Sequence, residues 1–415
     1  MSFTPVSQIK VGLDFGSNAK GGGEPLGRLA RRDRQIFFEY DQGFLMRGLD
    51  VSPFRLPLKS GVQTFDGQLF EGLPGLFNDS LPDGWGRLLF DRSMRAKGYL
   101  PEEFSPLDRL AHIGQTGMGA LTYEPDFSEV PSHEQIDLDW FAAHSAEVLE
   151  GEAEDVLAEL LSLNGSSAGA RPKALIGFDG IHDRLVHGAG ALGENYAPWL
   201  VKFANTQDGA DAGAIEFAYA EMARRAGVEI AETHLFPGAK SAGYFATKRF
   251  DREGSKRLHM HTACGLLHSD FRTPSLDYQD LVELTTLLTR DVREVEKMFG
   301  LAVFNVLAHN RDDHSKNFSF LMDDAGEWRL SPAYDLTFSS GPGGEHSTMV
   351  MGEGKVPSLS HLRALGEVAG VRKSQVEAII DQTRTALSDW PSLAKEFGVR
   401  TRNTRLIAAR MAVVL

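Results

Sequence analysis

Cysteine is nearly absent from this sequence: Cys264 stands alone among 415 residues. An intrachain disulfide and a cysteine-built metal site are thereby excluded, and a reducing compartment is the expectation. Cys264 itself reads as a small buried residue in a helix. No apolar run approaches the roughly 20 residues that a membrane-spanning helix requires. The start, Met1-Ser2-Phe3-Thr4-Pro5, lacks the basic and then apolar regions of a signal peptide. A soluble, cytoplasmic protein without a membrane role is therefore expected. Positive charge is also short, since 43 Lys and Arg against 57 Asp and Glu leave a net charge of −14. That balance argues against a generally basic, DNA-binding surface, so any role at DNA would be indirect, through a basic partner. Neither an internal repeat nor a low-complexity tract is visible.

What is present is ample core material, with 42% hydrophobic residues and 26 Phe in a chain longer than one core usually supports. Two or three domains or lobes follow, and the pattern divides them at residues 1–125, 126–251 and 252–415. In the first, Lys10–Phe15, Arg34–Tyr40 and Gly117–Pro125 read as strands, and Ser80-Leu81-Pro82-Asp83-Gly84-Trp85 opens a helix with a capping Ser or Asp. A polar connection and helix, residues 126–163, leads to a second unit. There Trp199-Leu200-Val201-Lys202-Phe203 is a buried-type strand and Ala214–Ala226 a helix. From about residue 252 the pattern turns helical, with helices around Gln279–Leu284, Val292–Asn310 and Lys373–Trp390. The expected class is α+β: a mixed α/β N-terminal half and a helical C-terminal half.

The chemistry concentrates in His309-Asn310-Arg311-Asp312-Asp313-His314-Ser315-Lys316-Asn317, followed by Ser331-Pro332-Ala333-Tyr334-Asp335. Asp312 and Asn317 stand five apart, a spacing at which an Asp can accept a hydroxyl proton while an Asn reaches a metal ion. A short hairpin between them and Asp335 would return a second carboxylate to the same point, where it could hold Mg²⁺ on the phosphates of ATP. A kinase is the first reading. Upstream, Asn164-Gly165-Ser166-Ser167-Ala168-Gly169-Ala170-Arg171-Pro172-Lys173 is a run of small residues whose backbone amides could approach phosphate, although it lacks the Walker pattern. Lys202 is the sole charge of its apolar strand, so its ammonium needs an anion: ATP phosphates, or Glu216 on the following helix, with Glu221 as second choice. Gly243–Arg252 is a strand at the junction of the two halves, where Phe250 and the backbone near Lys248 could meet adenine. Lys316 could lie near the γ-phosphate. His309 and His314 read as scaffold, with His314 also counted among nucleotide contacts, and Asp313 is either a surface charge or a loop cap.

Other readings use the same letters. His309, Asp312, Asp313 and His314 offer nitrogen and oxygen ligands for a hydrolytic metal, but that leaves Lys202 and the small-residue loop unexplained. Asp14-Phe15-Gly16 spells a kinase triplet, yet it precedes every other piece and is taken as a strand and turn.

With these motifs in place, the chain resembles the HipA family of bacterial serine/threonine kinases. The resemblance spans nearly the whole length and also rests on Phe70–Asp83 and Ile113–Leu121. It implies a two-lobed protein-kinase-like fold with an extra N-terminal module and an all-helical C-terminal lobe. It makes Ser166, or else Ser167, the autophosphorylated serine of a phosphate loop that includes Ala168, Gly169, Ala170 and Lys173. Asp312 falls on the family's catalytic Asp, Asn317 and Asp335 on its metal ligands, and Lys202 on its phosphate-binding lysine. ATP and Mg²⁺ are the implied cofactors. A HipB-like helix-turn-helix antitoxin is the implied partner, and a translation component such as an aminoacyl-tRNA synthetase the implied substrate. Arg171-Pro172 and Lys248 depart from one branch of the family, which affects side-chain contacts and substrate choice. A small-molecule phosphotransferase, or a catalytically idle co-repressor bound to a DNA-binding antitoxin, are the alternative functions.

Overall fold

The computed structural model describes residues 4–16, 23–65, 67–128, 135–151, 156–164, 169–190, 192–205 and 207–412. Alternation builds the first sheet. Strands β1 (Gln8–Leu13), β2 (Glu24–Arg32), β3 (Gln35–Tyr40), β4 (Gln63–Thr64) and β5 (Leu121–Glu124) pair antiparallel in the order β4-β3-β2-β1-β5. Ile9, Val11 and Leu13 of β1 and Ile36, Phe38 and Tyr40 of β3 face inward, as a period of two demands. They share a core with Phe77, Leu107 and Leu110 from the helices that follow.

A second antiparallel sheet forms from β6 (Lys173–Asp179), β7 (Arg184–His187), β8 (Ala197–Lys202), β9 (Thr233–Phe236) and β10 (Tyr244–Lys248), in the order β7-β6-β8-β10-β9. The helix Ala212–Arg225 packs on β9 and β10, and two helices, Leu138–Glu150 and Leu157–Asn164, fill the connection expected over residues 126–163. Beyond a small hairpin, β11 (Arg252–Glu253) and β12 (Lys256–Arg257), the chain is mostly helical, with its largest core around Phe299, Phe304 and Trp390.

One expectation needs correcting here. The C-terminal lobe is not all helical: β13 (His259–Thr262), β15 (Ser319–Met322) and β16 (Trp328–Leu330) form a three-stranded sheet, and β14 (Leu276–Asp277) pairs in parallel with β17 (Thr348–Met349). His259-Met260-His261-Thr262 conceals its strand because its buried side chains are polar. They are satisfied by the first module: the His261 ring bonds the Asp79 carboxylate at 2.6 Å, the Thr262 hydroxyl donates to Asp79 at 2.7 Å, and His259 Nε2 donates to the Val51 carbonyl at 3.0 Å. Met322 completes the seam by entering the core of the first sheet. Among the described residues, no helix is long and apolar enough to cross a membrane. Cys264 is buried in the helix Ala263–Leu267, where burial pushes its thiol up to about 12 and leaves it unreactive.

Candidate active site

A cavity of about 940 Å³ opens between the second sheet and the C-terminal lobe, with Asp79, Asp83 and Met118 of the first module along its rim. The helix Val292–Leu307 leads into the segment that carries Asp312, His314, Lys316 and Asn317 to the cavity wall. After that helix ends, His309 takes a left-handed backbone (φ 56°), and Asn310 Nδ2 donates to Asn305 Oδ1 at 2.9 Å. Asp313 is then locked inside, accepting from the Tyr278 hydroxyl at 2.8 Å, His346 Nδ1 at 2.9 Å and the Ser347 N–H at 2.9 Å. It is thus neither surface charge nor simple cap but a buried anchor. Fixing Asp313 leaves its neighbour Asp312 on the cavity wall.

The hairpin β15–β16 does what the spacing asked of it, returning the chain so that Asp335 and Asp312 line one cavity. Tyr334 braces the return: its hydroxyl donates to the Lys316 carbonyl at 2.5 Å and lies 2.6 Å from Ser319 Oγ. Asp335 is held with φ at 56°, a strained region for a residue with a Cβ, and such strain clusters at functional positions. Asn317 Nδ2 donates to the Asp312 carbonyl at 2.7 Å, which leaves its amide oxygen as the atom able to meet a cation.

Across the cavity, β6 and β8 place Lys173 directly opposite Lys202. Two ammonium groups on adjacent strands repel unless anions intervene. Lys202 resolves this by bonding Glu216 Oε1 at 2.5 Å and also Asp335. Glu216 is therefore the carboxylate of the following helix that Lys202 takes, whereas Glu221 pairs with Arg224 outside. Burial works against the Asp335 carboxylate, but Lys202, Lys173 and Arg171 outweigh it and hold the group well below the usual range, ionised. Burial of Lys173 lowers its ammonium to about 8, with Asp335 opposing the shift and Lys202 adding to it. Asp312 moves the other way: burial at the cavity wall raises its carboxyl, His314 opposes, and the nearby Asp335 and Asp313 raise it further. One carboxylate is thus kept charged while its neighbour becomes a better proton acceptor.

The remaining sequence candidates fall as follows. Gly169, Ala170, Lys248, Phe250, His314 and Lys316 all line the cavity. Lys316 Nζ reaches Asp83 at 2.6 Å and sits over the Phe271 ring at 4.7 Å. The Lys248 ammonium turns to Glu232 at 3.1 Å, and its backbone N–H donates to the Glu232 carbonyl at 2.8 Å, so that donor is engaged within the sheet. Phe250 packs on Tyr334, with ring centroids 5.6 Å apart. His309 stacks on Phe338 and bonds the Ser339 carbonyl at 3.1 Å, and His314 lies against Phe271. Ser166, Ser167 and Ala168 lie outside the described residues. Since Asp313 is committed inside, the hydrolytic-metal quartet does not converge, and among the described residues no group of three or more His, Cys, Asp or Glu could hold a metal ion.

Sequence reasoning missed three residues. Arg171, read only as a departure, pairs with Asp208 at 3.0 Å and Glu216 at 3.2 Å at the cavity edge. Asp208 had no local signal at all. Asp83 is one of the two capping candidates in the sequence, yet its side chain makes no capping bond on the helix Gly84–Ala96. A further constellation is a decoy: Ser52, His261 and Asp79 are aligned by bonds of 2.9 and 2.6 Å like a hydrolase triad, but Ser52 and His261 are 1% and 0% exposed and belong to the seam.

Known proteins agree with this architecture. Residues 19–124 match the family model for the HipA N-terminal domain, and residues 165–390 that for the HipA-like C-terminal domain. The HipA of Shewanella oneidensis MR-1, solved with HipB and its operator DNA, superposes with a TM-score of 0.68 at 17% identity, covering 98% of this chain and 95% of that one. The Sinorhizobium fredii protein named "Putative kinase Y4mE" is 27% identical over 341 residues, spanning 75% of this chain and 77% of its own length. The two-lobed, kinase-like fold is shared, and the chain belongs to the HipA family.

Proposed function

We propose that this chain is an ATP- and Mg²⁺-dependent serine/threonine protein kinase acting as the toxin of a toxin–antitoxin pair. The observation that carries the reading is the convergence of Lys202, Glu216 and Asp335 in one ion-pair cluster on the cavity that Asp312 also lines, with Lys202 and Glu216 buried. Lys202 and Lys173 would receive the α- and β-phosphates. Asp312 would orient the acceptor hydroxyl and take its proton as the γ-phosphoryl group moves from the ADP oxygen to the acceptor oxygen. Leu200, Ile230 and Leu336 give the cavity an apolar stretch suited to adenine. The donor set fits a hard cation, because Asp335 stays ionised and Asn317 offers an amide oxygen. Those two residues would hold Mg²⁺, which when bound supplies charge neutralisation at the phosphates.

In the same reading, residues 1–125 form the N-terminal module, 126–251 the N-lobe and 252–415 the C-lobe. Ser166 or Ser167 is the self-limiting phosphorylation site. A HipB-like helix-turn-helix antitoxin holds the enzyme and carries the contact to DNA, consistent with this chain's net charge of −14. The substrate class is a translation component such as an aminoacyl-tRNA synthetase. Mass spectrometry after incubation with ATP and Mg²⁺ tests the reading: wild type should gain phosphate on the Ser166–Ser167 peptide and Asp335→Ala should not. Equal phosphate on both chains, or none on wild type, would overturn it.

A further inference from the structure

Asp83 is one of three acidic residues of the cleft, with Asp79 and Asp208, to which the kinase reading gives no part. It belongs to the first module, yet its carboxylate bridges two segments of the phosphotransfer apparatus. One oxygen accepts the Gly169 N–H and the other the Lys316 ammonium, at 2.6 Å. The Gly169 peptide is gripped from its other side as well, because the Trp85 N–H donates to the Gly169 carbonyl at 3.1 Å. Contact is close enough that a Cβ on Gly84 would stand 2.6 Å from that same carbonyl oxygen. Gly84 also has φ at 45°, so space and backbone both call for glycine. Burial alone would raise the Asp83 carboxyl, but Lys316 and the Gly169 N–H hold it below the ordinary value, ionised.

We propose that Asp83 is a positioning residue for phosphoryl transfer, through which the N-terminal module fixes the Lys316 ammonium and the Gly169 end of the small-residue loop where a γ-phosphate needs them. This rests on the kinase reading above. A free lysine side chain loses rotamer entropy when it is ordered. Asp83 on one side and the Phe271 ring on the other impose that order before nucleotide arrives. An ammonium has three donors, and a bond to Asp83 leaves two for phosphate oxygen. Asp83 exchanges no proton and forms no bond to substrate, so its effect passes through Lys316 and Gly169. Because the held group meets the γ-phosphate, ATP should feel the loss and ADP should not.

The test uses full-length Asp83→Asn and Asp83→Glu, each also combined with Lys316→Gln. The readouts are kcat and KM for ATP in phosphate transfer, calorimetric affinities for ADP and a non-hydrolysable ATP analogue with Mg²⁺, and the melting temperature. Asp83→Asn should lower kcat about 10- to 100-fold, less than the roughly 100- to 1000-fold seen when a positioned donor is removed outright, and erode the preference for the ATP analogue while ADP affinity stays within about twofold. Asp83→Glu should recover part of the rate. In the Lys316→Gln background Asp83→Asn should cost little more, a result that a general loss of folding would not give. An Asp83→Asn enzyme with wild-type kcat and preference, one that binds the ATP analogue more tightly, or one whose defect is undiminished beside Lys316→Gln would overturn the proposal. A wild type that neither binds nucleotide nor transfers phosphate would instead remove the kinase reading itself.

Discussion

The first and second sheets are both five-stranded and antiparallel, but they spend their inward positions differently. Along β1 and β3 the inward side chains are Ile, Val, Leu, Phe and Tyr, and they build the core of their module. In β6 and β8 the same geometry brings Lys173 and Lys202 face to face, both less than a tenth exposed. Such a pair persists only because Asp335 and Glu216 arrive from a different strand return and a different helix. A sheet that follows its pattern is scaffold, and one that violates the pattern at two adjacent points marks where charge is being stored for a ligand.

Substitutions can break this contrast from either side. Lys202→Met should reduce phosphate transfer from ATP by 100-fold or more, and it should also lower the melting temperature because Glu216 and Asp335 lose their common partner. Leu29→Ala, in the fully buried interior of the first sheet, should cost about 2–5 kcal/mol in denaturant unfolding yet leave the nucleotide affinity of the folded protein within about twofold. A comparable loss of affinity would mean the first sheet is more than scaffold.

Two pH experiments probe finer points. Burial first, then His261, depresses His259 at the seam to about 3. A folded value below the unfolded one near 6.5 contributes stability above pH 6.5 that is lost as pH falls toward 3, about 2 kcal/mol by pH 5. Unfolding free energies of wild type and His259→Gln should diverge less at pH 5 than at pH 7; a constant difference would exclude this origin. Lys173, at about 8 in the folded chain, is an ammonium below that pH and neutral above it. ATP affinity should therefore weaken several-fold between pH 7 and pH 9 in wild type, and Lys173→Arg should flatten the profile.

Much of this was legible in the sequence because it is encoded locally. A lone lysine in Trp199–Phe203, the Asp312 and Asn317 spacing, and a segment long enough to fold back to Asp335 each carry a physical constraint within one stretch of chain. What escaped notice depends on distant neighbours. Asp83 and Lys316 are separated by 233 positions, so the sequence shows only an Asp before a helix, for which capping is the ordinary explanation. Asp313 reads from the sequence as either a surface charge or a loop cap because its partners Tyr278 and His346 lie far from it in the chain. The strand β13 was hidden for the same reason, its buried histidines being paid for by Asp79 and Val51 of another module.

The most direct test of the central claim is transfer of labelled γ-phosphate from ATP to protein by wild type and by Asp312→Ala. Removing the proton acceptor should bring labelling down by 100-fold or more while the variant melts near the wild-type temperature, since burial and the neighbouring Asp335 and Asp313 already disfavour the charged Asp312 carboxylate. Absence of label with wild type, or undiminished label with Asp312→Ala, would contradict the assignment of this cleft to phosphoryl transfer.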